Sequence, residues 1–395
     1  QIIVSKKQQP LRMQGNSGSK LKKNQVMSPE LLISTRTRST PFSSRVEACG
    51  VKAYTVYNHM LLPIVYRSLE KDYWHLCEAV QVWDVSCQRQ VEITGPDTRR
   101  LVQLMTPRDL SQAENGQCLY APLCDESGGM VNDPILIKHA NNHWWLSIAD
   151  TDVLLWAKGL ATGFGLNVNI SEPDIWPLAV QGPKAENLLT RVFGEEIKKI
   201  GFFRSRKLDY KGNDFLISRS GWSKQGGFEI YVNDAELGRQ LWDELFDKGE
   251  DLNVGPGCPN LIERIESGLM SFGGDIGYDT TPFECGLDHY VDLEAGIESL
   301  SIEALRTRKP KTKLMGLVIE TKVNLTDRQV FIGNKVLGEI TSNVWSPRYS
   351  VHLAFAKCDL ELLGDQQDKY IKTSSGEAAV QITNLPFDFT TLGLT

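Results

Sequence analysis

Gln90-Val-Glu-Ile-Thr-Gly-Pro-Asp-Thr-Arg-Arg-Leu-Val-Gln-Leu-Met-Thr-Pro107 is the stretch on which the fold turns. Gln90 to Ile93 alternates polar and apolar side chains with the two-residue period of a strand. Gly95-Pro96 turns the chain. Asp97 to Met105 then sets Leu101, Val102, Leu104 and Met105 on the apolar side of a helix that Pro107 stops. The arrangement returns about 87 residues later. Leu178-Ala-Val-Gln-Gly-Pro183 leads into Ala185 to Phe193, with Leu188, Leu189 and Val192 as the apolar positions. Two such units in succession predict two similar α+β halves.

The flanking sequence extends this pattern. Trp144 to Ile148 reads as a strand, and Asp152 as the cap of a helix through Leu160 that Gly163 helps to end. Asp214 to Ser218 and Phe228 to Val232 read as strands on either side of a Gly-rich loop. Asp234 then caps a helix carrying Leu237, Leu241 and Leu245. Arg308 to Lys313 is a basic, Pro-containing linker. Beyond it, Leu314 to Ile319, Gln329 to Ile332 and Lys335 to Thr341 predict short strands, with a turn at Gly333-Asn334. The expected organisation is a basic extension over 1–37, a two-unit α+β region over 38–307 and an all-β domain over 308–395.

Composition bounds the function. The chain has 395 residues, enough for two or three domains. Its 41% hydrophobic and 23% charged residues are those of a globular protein. A net charge of −6 argues against general nucleic-acid binding. The most apolar run, Val153 to Val168, is broken by Lys158 and three glycines, so no membrane span is expected. Eight cysteines without a CxxC pair predict free, mostly buried thiols and a cytoplasmic setting. Residues 1 to 46 carry nine Lys or Arg against one acid, Glu30, and within them Lys6 to Lys23 is too polar to bury a core. Translation is expected to start at Met27.

Most catalytic templates are missing. There is no phosphate-binding Gly-rich loop, no His-Glu-x-x-His, no Gly-x-Ser-x-Gly, and the six histidines lack ligand spacing. No metal site is expected. Two segments stand out. Leu119 to Pro134 reads as strand, Gly-rich turn, strand, with Asn132-Asp133 inside the second apolar run. A carboxylate there is costly unless solvated or paired, as on an edge strand. Ser220 to Tyr231 sets Glu229 and Tyr231 on one strand face, away from Phe228 and Ile230, with Trp222 across a Gly-rich loop. An acid beside aromatic rings suits a flat, guanidine-like heterocycle, although a solvent-facing strand flank has the same pattern.

These segments, in this order, resemble the folate-dependent aminomethyltransferase family, the T-protein of the glycine cleavage system and its relatives. Trp83-Asp84-Val85-Ser86 and Arg264-Ile-Glu-Ser-Gly268 are similar to family motifs, as are the intervals from Tyr120 to Asp133 and from Trp222 to Glu229. Arg38 to Pro63, Gln103 to Asp109 and Arg219 to Glu229 resemble the family's dimethylsulfoniopropionate demethylase branch. Where the T-protein has Tyr-Thr-Gly-Glu and Asp-Asp, this chain has Trp222-Ser-Lys-Gln225 and Asn132-Asp133.

The resemblance implies a ring of three domains: two related α+β, ferredoxin-like units and a C-terminal β-barrel, with folate in the central opening. It implies that Glu229 binds the pterin, that Tyr120 and Trp222 pack around the folate, and that Arg264 meets its tail carboxylates. Asp133 is the implied catalytic residue beside the reacting nitrogen, with Trp222 beside a sulfonium substrate; Tyr231, on the Glu229 strand face, is expected as a further neighbour of that substrate. Tetrahydrofolate is the implied methyl acceptor, and methylthiopropionate and 5-methyl-tetrahydrofolate the products. Two readings stay open beside it: a T-protein acting on a lipoylated carrier or another folate-dependent methyl transferase, and a folate-binding protein without catalysis. A homodimer is also left open.

Overall fold

The structure, a computed structural model, describes residues 33–394. The expected start at Met27, and all but the last few residues of the expected 1–37 extension, lie outside the described residues. Both Gly-Pro units form, and each seeds its own sheet. Strand Gln90–Thr94 runs into helix Thr98–Met105, and strand Trp176–Gln181 into helix Ala185–Phe193. The two turning glycines match, with φ of +125° at Gly95 and +119° at Gly182, a region that favours glycine. Each also lies against a backbone carbonyl. A Cβ on Gly95 would stand 2.7 Å from the Asn167 oxygen, and one on Gly182 would collide with that of Ala79.

The correspondence continues along the chain. After its first helix each unit adds three antiparallel strands to its sheet, a second helix and a short last strand; in the first unit a small hairpin, Leu123–Cys124 with Met130–Asn132, interrupts the series. One sheet is ordered Cys118–Tyr120, Ile135–Ala140, His143–Ser147, Gln90–Thr94, Asn169–Ser171. The other is ordered Ser205–Tyr210, Asn213–Ser218, Gly227–Val232, Trp176–Gln181, Val80–Asp84, Val254–Pro256. Val80–Asp84 is the inserted strand, and Val254–Pro256 joins it in parallel. In each unit the apolar helix faces pack on one side of the sheet, Leu101, Val102 and Met105 in one core and Leu188, Leu189, Leu241 and Leu245 in the other.

After helix Ile302–Thr307, strand Thr312–Ile319 opens a seven-stranded antiparallel sheet. Its outermost strands, Gly376–Ala379 and Gln381–Thr383, are separated only by Val380. The sheet must therefore curl until its edges approach, which makes it a barrel open along one seam.

Each of the three modules touches the other two. The α+β sheets meet edge to edge, where the Cys118 amide donates to the Phe203 carbonyl and the Ser205 amide to that of Gly116. An irregular segment after residue 268 ties the five-stranded unit to the barrel: the Met130 amide donates to Thr280, and Leu314 to Glu284. The third joint is helix Leu261–Glu266. There the buried Glu266 carboxylate accepts from Tyr73 and from Ser346, both at 2.6 Å. Tyr73→Phe removes one of these bonds while keeping the packing. It is expected to lower unfolding stability by about 1–2 kcal/mol in urea titrations; an unchanged midpoint would mean that this bond contributes nothing.

Candidate active site

Strand Gly227–Val232 lies inside the six-stranded sheet. Its alternation buries Phe228 and Ile230 among the helices and sends Glu229 and Tyr231 to the opposite face. Glu229 is only 6% exposed. Its Oε2 accepts from the Ser220 hydroxyl at 2.5 Å, and Ser220 meets the Ser218 hydroxyl at 2.6 Å. Oε1 takes no hydrogen bond within the described residues, yet it is not among the atoms sealed from solvent. Burial pushes the Glu229 carboxyl above its ordinary range, and the Ser220 bond pulls it back in part. This is a desolvated carboxylate with one oxygen free for an outside donor.

The Asn132-Asp133 pair divides its work. Asn132 ends strand Met130–Asn132 and is fully buried. Its amide donates to Ala149 O and Thr151 Oγ1 and accepts from the Ala149 amide, so its role is structural. Asp133 does not lie inside a strand, contrary to the sequence reading. It falls in the break before strand Ile135–Ala140, where its carboxylate escapes the ladder and keeps some solvent access. Tyr120 donates to its Oδ2 at 3.1 Å. Desolvation pushes the Asp133 carboxyl up to about 7, against the Tyr120 bond, which lowers it.

Further aromatic residues gather here. Tyr290 packs on Tyr120 with ring centroids 5.1 Å apart. Burial and the Asp133 charge both raise the Tyr57 hydroxyl, which places it near that acid. Tyr57 ends strand Ala53–Tyr57 before a two-residue turn, Asn58-His59, with φ of 48° and 62°. Asn58 is buried and donates to the Cys87 and Ala149 carbonyls, which fixes this hairpin beside the site. Sequence reasoning missed Tyr57, Ser220 and Tyr290. A turn made by Asn-His instead of Asn-Gly was the available signal for the first.

The Trp222 loop is held from two sides. Gln181, the last residue before the second Gly-Pro turn, donates to the Ser220 carbonyl and accepts from the Ser223 hydroxyl. Gly221, with φ of +151°, lies so close to Gln181 that a Cβ would not fit. From the other side Glu263 accepts from the Lys224 amide at 2.7 Å and from Ser267. Trp222 is half-buried, with the Arg264 guanidinium 5.9 Å from its ring.

Two expected roles change. Arg264 is committed within the protein: Nη1 donates to Asp275 at 2.8 Å and to the Leu269 carbonyl, and Nη2 to Ser342 at 2.6 Å. It is a strut between the α+β region and the barrel, and its face backs Trp222. Tyr231 does not border an opening. It is 1% exposed, packs on Trp145 at 5.9 Å in the seam between the sheets, and its sealed hydroxyl, near Ser218 and Ser147, makes no well-formed hydrogen bond among the described residues. The signal that misplaced it was the strand alternation. Sharing a face with Glu229 does not mean sharing solvent access, because the neighbouring sheet covers that end of the strand.

Among the described residues no group of three His, Cys, Asp or Glu is arranged to hold a metal. All eight cysteines are free, six of them buried. Among the described residues no helix is long and apolar enough to cross a membrane.

Comparisons with known proteins agree with this architecture. The GCVT N-terminal domain matches residues 42–295. The dimethylsulfoniopropionate demethylase DmdA of Ruegeria pomeroyi is 46% identical over 352 residues, 88% of this chain and 97% of that protein. The aminomethyltransferase of Bacillus cytotoxicus is 29% identical over 82% of this chain and 91% of its own. In fold, the crystal structure of glycine cleavage system aminomethyltransferase T from Bartonella henselae matches with a TM-score of 0.79, covering 88% of this chain and 97% of that one at 22% identity. With the duplicated α+β unit, the curled C-terminal sheet and a domain match over more than half its length, the chain belongs to the GCVT family.

Proposed function

We propose that this protein is a tetrahydrofolate-dependent demethylase that moves a methyl group from the sulfonium of dimethylsulfoniopropionate to N5 of the folate. The carrying observation is the 46% identity to the Ruegeria demethylase across nearly the whole of both chains. The site supports it. Glu229 Oε1 is an acceptor suited to the amino-pyrimidine edge of a pterin. Tyr120 and Trp222 supply ring faces, and Asp133 is an acid poised near neutrality.

The chemistry demands little of the chain. A sulfonium methyl is already activated, because the C–S electron pair returns to sulfur and a neutral thioether leaves. The protein has to align the two reactants, and such positioning can lower a barrier by about 7–11 kcal/mol. Aromatic faces favour the cation by about 0.5–2 kcal/mol per contact. Because the reaction discharges that cation, stronger holding would slow the step. Asp133 is the group that accepts the proton N5 sheds when it gains the methyl.

Incubation with dimethylsulfoniopropionate and tetrahydrofolate should yield methylthiopropionate and 5-methyl-tetrahydrofolate in equal amounts by mass spectrometry. Absence of both, with turnover of a lipoylated aminomethyl carrier, would return the protein to the T-protein activity. Trp222→Ala is expected to lower kcat/KM for the sulfonium about tenfold through loss of one ring face. Wild-type kinetics would remove Trp222 from the substrate wall.

A further inference from the structure

Arg108 is the one described arginine that is neither exposed nor within 4 Å of a carboxylate; every other one meets at least one of those conditions. It follows Pro107, which stops the first Gly-Pro helix, and its position is fixed closely. The Arg108 amide donates to Thr106 Oγ1 at 3.2 Å, and its carbonyl accepts from the Gln103 side chain at 2.9 Å. Thr106 in turn donates to the Pro122 carbonyl. The guanidinium lies 5.0 Å from the Tyr290 ring centroid and donates through Nη1 to the Tyr120 carbonyl at 2.5 Å. Tyr120 is the residue whose hydroxyl holds Asp133.

This cation is therefore built into the site wall. Nε and Nη2 make no hydrogen bond within the described residues, and neither is sealed from solvent. The nearby acid, Asp292, accepts from the Asp109 amide at 2.8 Å and forms no ion pair with Arg108. Burial depresses the guanidinium below its ordinary value, and Tyr290 and Asp292 offset this only in part. A preorganised fork with two donors free matches a carboxylate.

We propose that Arg108 binds a carboxylate of the molecules this site holds, either that of the sulfonium substrate or those of the folate's glutamate tail. The inference rests on the demethylase reading above. Such an anchor would make the site read both ends of a zwitterion, the cation against aromatic rings and the anion against Arg108.

The test uses Arg108→Gln and Arg108→Lys in the full chain, with melting temperatures to confirm folding. KM is measured for dimethylsulfoniopropionate and for ethyldimethylsulfonium, which has no carboxylate. Kd is measured for tetrahydrofolate and for 6-methyl-tetrahydropterin, which has no tail. Arg108→Gln should raise one of the two carboxylate-bearing constants by about 10- to 100-fold, leave its carboxylate-free counterpart within twofold, and be partly rescued by Arg108→Lys. A rise confined to dimethylsulfoniopropionate assigns the substrate, and one confined to tetrahydrofolate assigns the tail. Equal losses for compounds with and without a carboxylate, or no loss in either pair, overturn the proposal. If wild-type protein transfers no methyl from dimethylsulfoniopropionate, the demethylase reading fails by itself. The tetrahydrofolate pair then decides Arg108.

Discussion

Glu229→Ala is expected to weaken tetrahydrofolate binding by about 100- to 10,000-fold. The carboxylate is buried, held from behind by Ser220, and presents Oε1 without a partner among the described residues. A pterin edge offers adjacent N–H donors, and each hydrogen bond to a charged acceptor is worth about 1.5–3 kcal/mol. Truncation removes both bonds at once and leaves the donors desolvated. Glu229→Gln keeps the shape but replaces one acceptor with a donor that faces another donor, so it should recover little. Stability should not fall in parallel, since Ser220 keeps its bond to Ser218 and the removed carboxyl was itself costly to bury. Calorimetric titration with tetrahydrofolate measures the loss. Wild-type affinity in Glu229→Ala would detach this residue from the pterin and undo the reading of the site.

The second large effect is expected from Asp133→Asn, with kcat lowered by about 1000-fold and folate affinity changed far less. The isosteric amide keeps the Tyr120 contact but cannot take up a proton. With the carboxyl at about 7, the wild-type rate should rise with pH through neutrality as the base form accumulates. Asp133→Asn should lose that inflection. The stability consequence has the opposite sign. The folded state holds this proton more tightly than the unfolded chain, so the contribution is full below the ordinary carboxyl range and is lost as pH rises towards about 7. At pH 8 Asp133→Asn should therefore melt higher than wild type, and below pH 4 the difference should vanish. A pH–rate profile that Asp133→Asn leaves unaltered would exclude proton transfer at this position.

Both Gly-Pro units were legible because local chemistry dictates them. Alternation, a glycine in a left-handed turn and an apolar helix face coincide within a dozen residues. The helix behind Asp234 was equally plain, and Asp234 does accept from the Glu236 and Leu237 amides. Strand Val351–Asp359 was not, since nearly all of it is buried and it shows no alternation. The irregular segment after residue 268 was invisible for another reason: tertiary hydrogen bonds hold it, with no periodic pattern to read. In the candidate site, Glu229, Tyr120 and Asp133 are proposed from spacing and resemblance. What spacing could not say was which polar groups the protein had already used. Arg264 is spent on Asp275 and Ser342 and Tyr231 is sealed in a seam, whereas Arg108, passed over, keeps its donors.

Helix Leu261–Glu266 has a bearing on redesign. Glu263 ties down the backbone behind Trp222, Arg264 grips Asp275 and Ser342, and Glu266 locks Tyr73 to Ser346. The Trp222 loop and the domain assembly are thus soldered at one short segment. Libraries seeking new methyl donors should randomise Trp222 and Gln225 while sparing residue 263, and removing the barrel from Thr312 onward would unmoor the aromatic wall as well.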